Sequence, residues 1–189
     1  MAIALDGGST SFTSTLTASP SSNRTVTVPD STFTIAGTEV AQTFTALQTF
    51  TGTSSVAAQK TSNIKEVVTV SATAATGTIP FYITTQSVLY YTTNSAGNFT
   101  VNISASAGST LNSIMSTGEC MTIAFLVTNG SPAYYNSAVQ VDGVSVTPKW
   151  QGGTAPTSGN ANSIDVYSYT VIKTASATFT VLAAQSRFA

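Results

Sequence analysis

The longest continuous apolar run in the chain is Cys120-Met-Thr-Ile-Ala-Phe-Leu-Val-Thr128, and both of its alternating faces are apolar. Met121, Ile123, Phe125 and Val127 share one face, Cys120, Ala124 and Leu126 the other. Such a run, without Gly or Pro, predicts a central strand covered on both sides, with Cys120 deeply buried. A buried helix turn is the alternative, but the flanking Gly118 and Asn129-Gly130 suit strand boundaries.

Around this run the pattern is one of half-buried strands. Ile64, Val68 and Val70 alternate with Lys65 and Thr69. Ile79-Pro-Phe-Tyr-Ile83 and Val88-Leu-Tyr-Tyr91 read as one long strand or two. Phe99, Val101 and Ile103 alternate with Thr100 and Asn102, as in a strand with one wet face. Residues 133–141 are followed by Val144 and Val146 across Asp142-Gly143, a dipeptide that suits a tight hairpin. After a polar loop at 151–162, strands at 164–173 and 177–182 complete eight or nine strands with hardly any helical period. The pattern predicts an all-β fold, an antiparallel β-sandwich over 64–189, with a jelly roll as one form of it.

The first third is thinner. Asn23-Arg-Thr-Val-Thr-Val-Pro-Asp30 and Ser31-Thr-Phe-Thr-Ile-Ala-Gly37 predict a pair of strands turned by Pro29-Asp30. Gln42-Thr-Phe-Thr45 recurs as Gln48-Thr-Phe-Thr51 and fits either a strand or a helix capped by Thr38; its Thr density favours the strand. Only about a dozen large apolar residues are spread over residues 1–63. A piece of that size needs a staple or a partner. With no disulfide or metal cluster, residues 1–63 read as a Thr-rich attachment or oligomerisation segment ending in a linker.

Composition sharpens this. Lys plus Arg number 6, Asp plus Glu 7, and histidine is absent. No formal charge occurs from 67 to 118, and Ser plus Thr make up about a third of the chain. A net charge of −1 provides no field to hold nucleic acid or an anionic membrane. The start of the chain lacks the pattern of a signal peptide, so synthesis in a cytoplasm is expected. Cys120, the single cysteine, cannot form an intrachain disulfide.

Candidate chemistry is sparse. The usual base and metal ligand is missing with histidine, and no cofactor or metal is expected. Glu66, Glu119, Asp142 and Asp165 could supply a glycosidase pair, but each sits at a strand end or turn where a solvated carboxylate is ordinary. Ser62-x-x-Lys65 matches an acylation motif without its companions, and Asp6-Gly-Gly-Ser-Thr10 matches a phosphate loop without its βαβ setting. Asn23, Asn98 and Asn102 open formal glycosylation sequons. Trp150, at the mouth of the polar loop, is the one residue that keeps a contact site open. Tyr134, Tyr135, Tyr167 and Tyr169 are candidates to join it in stacking on a glycan or a partner. The alternative is that Trp150 plugs the open end of the sandwich.

The segment 23–38 with its Gln-Thr-Phe-Thr repeat resembles segments of fibre and appendage proteins of tailed bacteriophages. From Ile64 onward the chain resembles a domain of virion structural proteins of phages infecting marine cyanobacteria. The resemblance is carried by Gln86-Ser-Val-Leu-Tyr-Tyr91, Phe125-Leu-Val-Thr-Asn-Gly130, Ala133-Tyr-Tyr-Asn-Ser-Ala138, Thr147-Pro-Lys-Trp-Gln-Gly-Gly-Thr-Ala-Pro156 and Ser163-Ile-Asp-Val-Tyr-Ser-Tyr169. It implies a non-enzymatic virion protein, commonly a homotrimer bound to other tail or capsid proteins, and does not fix the position on the particle. The thin first 63 residues beside a self-sufficient remainder favour a short fibre or appendage held by that end. A capsid decoration protein and a carbohydrate-binding host-attachment module are the alternatives.

Overall fold

The computed structural model describes residues 47–49 and 59–189. The chain divides into two compact units, Met1–Lys60 and Thr61–Ala189, and the second is described throughout. The strand pair expected at 23–37 lies outside the described residues, as does the Gln-Thr-Phe-Thr repeat apart from residues 47–49.

Ten strands build the second unit: β1 (Val68–Ala74), β2 (Gly77–Tyr82), β3 (Val88–Thr93), β4 (Phe99–Ser104), β5 (Cys120–Asn129), β6 (Asn136–Val141), β7 (Val144–Val146), β8 (Lys149–Trp150), β9 (Ser163–Ala175) and β10 (Thr178–Phe188). One short helix, α1 (Leu111–Ile114), precedes β5. The strands form a six-stranded sheet, ordered β1-β3-β5-β9-β10-β8, and a four-stranded sheet, ordered β2-β4-β6-β7. The two pack face to face as an all-β sandwich.

Strand direction departs from the antiparallel expectation. β1, β3 and β5 run parallel in the large sheet, and β2, β4 and β6 run parallel in the small one. The cause is a winding path. β1 passes to β2 across only Ala75 and Thr76, yet the two strands belong to different sheets. β3 to β4 and β5 to β6 repeat the move, so each strand returns to its sheet in the direction of the last. The chain folds back on its sequence neighbour in two hairpins, β6–β7 at Asp142-Gly143 and β9–β10. The Asp142-Gly143 expectation is thus met, and the antiparallel order holds for β5–β9, β9–β10 and β6–β7 but not for the parallel remainder, which departs from a jelly roll.

Alternation then assigns the faces. Across the large sheet Leu89, Phe125 and Tyr167 form one inward row, and in the small sheet Ile79, Val101, Val139 and Val146 form another. The Phe99 ring meets Phe125 edge-on from the opposite sheet, with centroids 5.4 Å apart. On its outer side the small sheet is polar: Pro80, Asn102, Gln140 and Ser145 lie in register. The outer side of the large sheet is mixed, with Thr122, Thr170 and Ser168 toward its middle and apolar rows toward β1. Val70, Tyr90, Leu126 and Val166 form one row there, and Val68, Val88 and Ala124 begin another.

The central run is therefore one-sided rather than covered on both faces. Ile123, Phe125 and Val127 are buried, Ala124 and Leu126 are half-buried, and Cys120 is exposed at the start of the strand. Among the described residues no second layer covers the outer side of β5.

Candidate functional site

Two places carry side chains that could do more than fill a core: a buried polar cluster at one end of the sandwich and the surface around Trp150.

The cluster centres on Asp165, which β9 turns inward beside Val127. The carboxylate is fully buried, not solvated as its place near a loop suggested. Four donors replace water. Asp165 Oδ2 accepts from Asn129 Nδ2 at 3.0 Å, from the Asn160 backbone N–H at 3.0 Å and from Gln185 Nε2 at 2.9 Å. Oδ1 accepts from Asn160 Nδ2 at 2.7 Å. All four donors are neutral amides, drawn from β5, the 151–162 loop and β10. Charge-assisted hydrogen bonds of this kind make burial of an ionised carboxylate tolerable.

The network extends from there. Asn129 Oδ1 accepts from the Ser95 hydroxyl and from the Tyr134 N–H at 3.2 Å. Gln185 Nε2 also donates to the Tyr167 phenol oxygen at 3.1 Å, which accepts from the Asn136 N–H at 3.2 Å as well. The Tyr169 hydroxyl donates to Asn136 Oδ1 at 3.1 Å. Gly159 permits the loop's approach: a Cβ there would lie 2.2 Å from the Tyr134 carbonyl oxygen.

Tyr167 and Tyr169 therefore belong to the core, with stacked rings 6.5 Å apart, and are not contact residues. Alternation placed them on the same face of β9, and that face is the inner one. Burial pushes both phenols well above the ordinary tyrosine value of 10.0. For Tyr167 the Asn136 N–H opposes the rise, while nearby Asp165 adds to it. Since the folded values lie above the unfolded one, the stability tied to these groups is complete below about pH 10 and declines above it, by about 1.4 kcal/mol per pH unit per tyrosine. Alkaline titration at 295 nm should show two of the 7 tyrosines ionising only as the protein unfolds. Smooth ionisation of all of them near pH 10, with native circular dichroism retained, would contradict this assignment.

Trp150 lies elsewhere. Its short strand β8 runs parallel to β10, with Trp150 opposite Ala183. Gly152 and Gly153, at φ 76° and 80°, then turn the chain sharply, a conformation that favours glycine. The half-buried indole packs against the core and borders two shallow cavities. One, of about 400 Å³, is lined by Lys149, Gln151, Ser168, Thr170 and Leu182 among others. The other, of about 240 Å³, lies beside Pro148 and Pro156. Tyr134 and Tyr135 line neither; they are half-buried near the polar cluster, where the Tyr135 N–H donates to Asn98 Oδ1 at 3.3 Å. Of the five expected aromatics, Trp150 alone borders these two hollows.

Three of the four carboxylates weighed for hydrolysis hold structure instead. Asp165 anchors the cluster. Glu119 accepts from the Ser116 N–H at 2.7 Å. Asp142 accepts from the N–H groups of Leu111 and Asn112 at 2.6 and 2.9 Å, capping α1. Lys173, buried on β9, donates to the carbonyls of Asn112 and Met115 at 2.7 Å each, so α1 carries an anion at its amino end and a cation at its carbonyl end. The signal that would have exposed the Asp165 cluster was its company of Asn and Gln, which the sequence spreads over residues 129–185.

Comparisons with protein-family models, with curated proteins and with solved structures return no significant match to this chain.

Proposed function

We propose that the chain is a non-enzymatic structural protein of a tailed-phage virion, a short homotrimeric fibre or appendage held by residues 1–63 with the sandwich exposed. The observation that carries this reading is where the described polar groups go. Asp142, Asp165, Glu119 and Lys173 are engaged in caps, turns and internal amide bonds, as in a domain built to persist. The sparsely charged, Thr-rich composition and the resemblance to phage virion proteins support the setting. The apolar thinness of residues 1–63 supports attachment by that end. The alternative of a glycan-binding module keeps a single ring, Trp150, where stacking sites gain from several.

Cryo-EM of the virion tests it. The expected result is threefold density for the sandwich projecting from the particle, joined to it at the amino-terminal side. Density in which the sandwich spans neighbouring capsomers would replace the appendage with a capsid decoration protein. Absence from purified particles would end the virion reading.

A further inference from the structure

Among the described residues four strands form the edges of the two sheets, and three of them are blunted against further pairing. β8 has two residues, β7 has three, and β2 carries Pro80 within it, which offers no N–H. β1 is different: seven residues, Val-Thr-Val-Ser-Ala-Thr-Ala, with no proline, glycine or charge. The Val67 and Ser71 carbonyls face β3, where they accept from the Ser87 N–H and the Thr92 hydroxyl. Strand alternation therefore directs the backbone N–H and C=O of Val68 and Val70 outward.

The side chains agree with the backbone. Val68 and Val70 are 48% and 63% exposed, and upstream of them the exposed Ile64 and Val67 flank the charged pair Lys65-Glu66. Behind this rim the outer face continues as Val88 and Ala124 in one row and Tyr90 and Leu126 in the next, without a formal charge. The polar outer face of the small sheet shows what a solvated face of this protein looks like, and the strip of the large sheet beside β1 does not match it. An edge that is regular from Val68 to Ser71 and irregular only between Ser71 and Ala74, beside an apolar strip, marks a covered surface.

We infer that the β1 rim and the adjoining outer face of the large sheet are where a second copy of this chain docks. Two observations select a second copy. The rows carry no charge, so nothing steers a charged foreign partner and nothing repels an identical neighbour. The 58 residues upstream of Gln59 join the sandwich at the start of this same strand. Any contact that gathers the rims also gathers those segments, whose apolar content calls for company. The inference deepens the homo-oligomeric part of the proposed function and rests on it.

The test uses the full chain in native mass spectrometry and size-exclusion chromatography with light scattering. The parent should be oligomeric at micromolar concentration. The double variant Val68→Lys/Val70→Lys should run as a monomer with native circular dichroism, since both side chains are already exposed. Val144→Lys, at an exposed site on the small sheet, should leave the assembly intact. If the double variant misfolds, hydrogen exchange of the parent decides: amides of residues 66–72 should exchange more slowly in the oligomer than after dilution to monomer. An oligomer that persists in the folded double variant, or exchange there that is indifferent to dilution, overturns the docking surface while leaving a virion role standing. A monomeric parent overturns the surface and the trimer together, and cryo-EM of the particle then judges the virion role separately.

Discussion

Replacing Phe125 by alanine should lower the stability of the sandwich by about 3–5 kcal/mol, read as a fall in the urea midpoint with little change in slope. Phe125 is fully buried on the third strand of the large sheet. Three rings close around it: Tyr91 at 5.5 Å and Phe99 at 5.4 Å edge-on, and Tyr167 at 6.4 Å stacked. Phe99 comes from the facing sheet, so the cavity left by alanine opens at the contact between layers, where neither sheet can collapse without moving the other. Against a typical total of about 5–15 kcal/mol, the loss is a large fraction. Phe125→Leu should fall in between. A midpoint unchanged in Phe125→Ala would mean that this ring is not where the two sheets are joined.

Asp165→Ala is expected to be of similar severity, roughly 3 kcal/mol or more, for a different reason. The deletion leaves Asn129 Nδ2, Asn160 N–H and Asn160 Nδ2 facing a void without an acceptor, while Gln185 Nε2 keeps the Tyr167 oxygen. Each buried donor left unmade costs about 1–3 kcal/mol, reduced where water can enter. Asp165→Asn should cost less. An amide oxygen in the Oδ2 position keeps three bonds, and the Asn160 side chain can rotate to offer its oxygen to the new NH₂. Thermal unfolding should therefore rank parent, Asp165→Asn, Asp165→Ala. An alanine variant as stable as the parent would show that the cluster is wet and dispensable.

The sandwich was legible because alternation reports which side of a strand is dry. Phe99, Val101 and Ile103 are buried and Thr100 and Asn102 are not, as their pattern indicates. Alternation says nothing about neighbours, however, and this is why the antiparallel order failed. The Ala75-Thr76 link is as short as a hairpin turn but carries the chain to the other sheet. Cys120 misled because an apolar run was read as uniformly buried, whereas a strand's first residue protrudes past its layer. Tyr167 and Tyr169 differ in the opposite sense: near a polar loop they read as surface rings, yet they point at the facing sheet, where Phe99 and Asn136 meet them. The Asp165 cluster itself is a meeting of distant segments, and local sequence carries no trace of such a meeting.

The winding path has a mechanical consequence. β1, β3 and β5 run one way, β9 reverses, and β10 reverses again, so the first and last strands of the large sheet point in the same direction. The chain thus enters the sheet at Val68 and its final strand leaves toward Phe188 at the far side along the strand axis. Tension drawn between those two points slides strands past one another instead of peeling them apart. Many ladder hydrogen bonds then bear the load at once and must fail together, and under force it is the rate of that failure that matters.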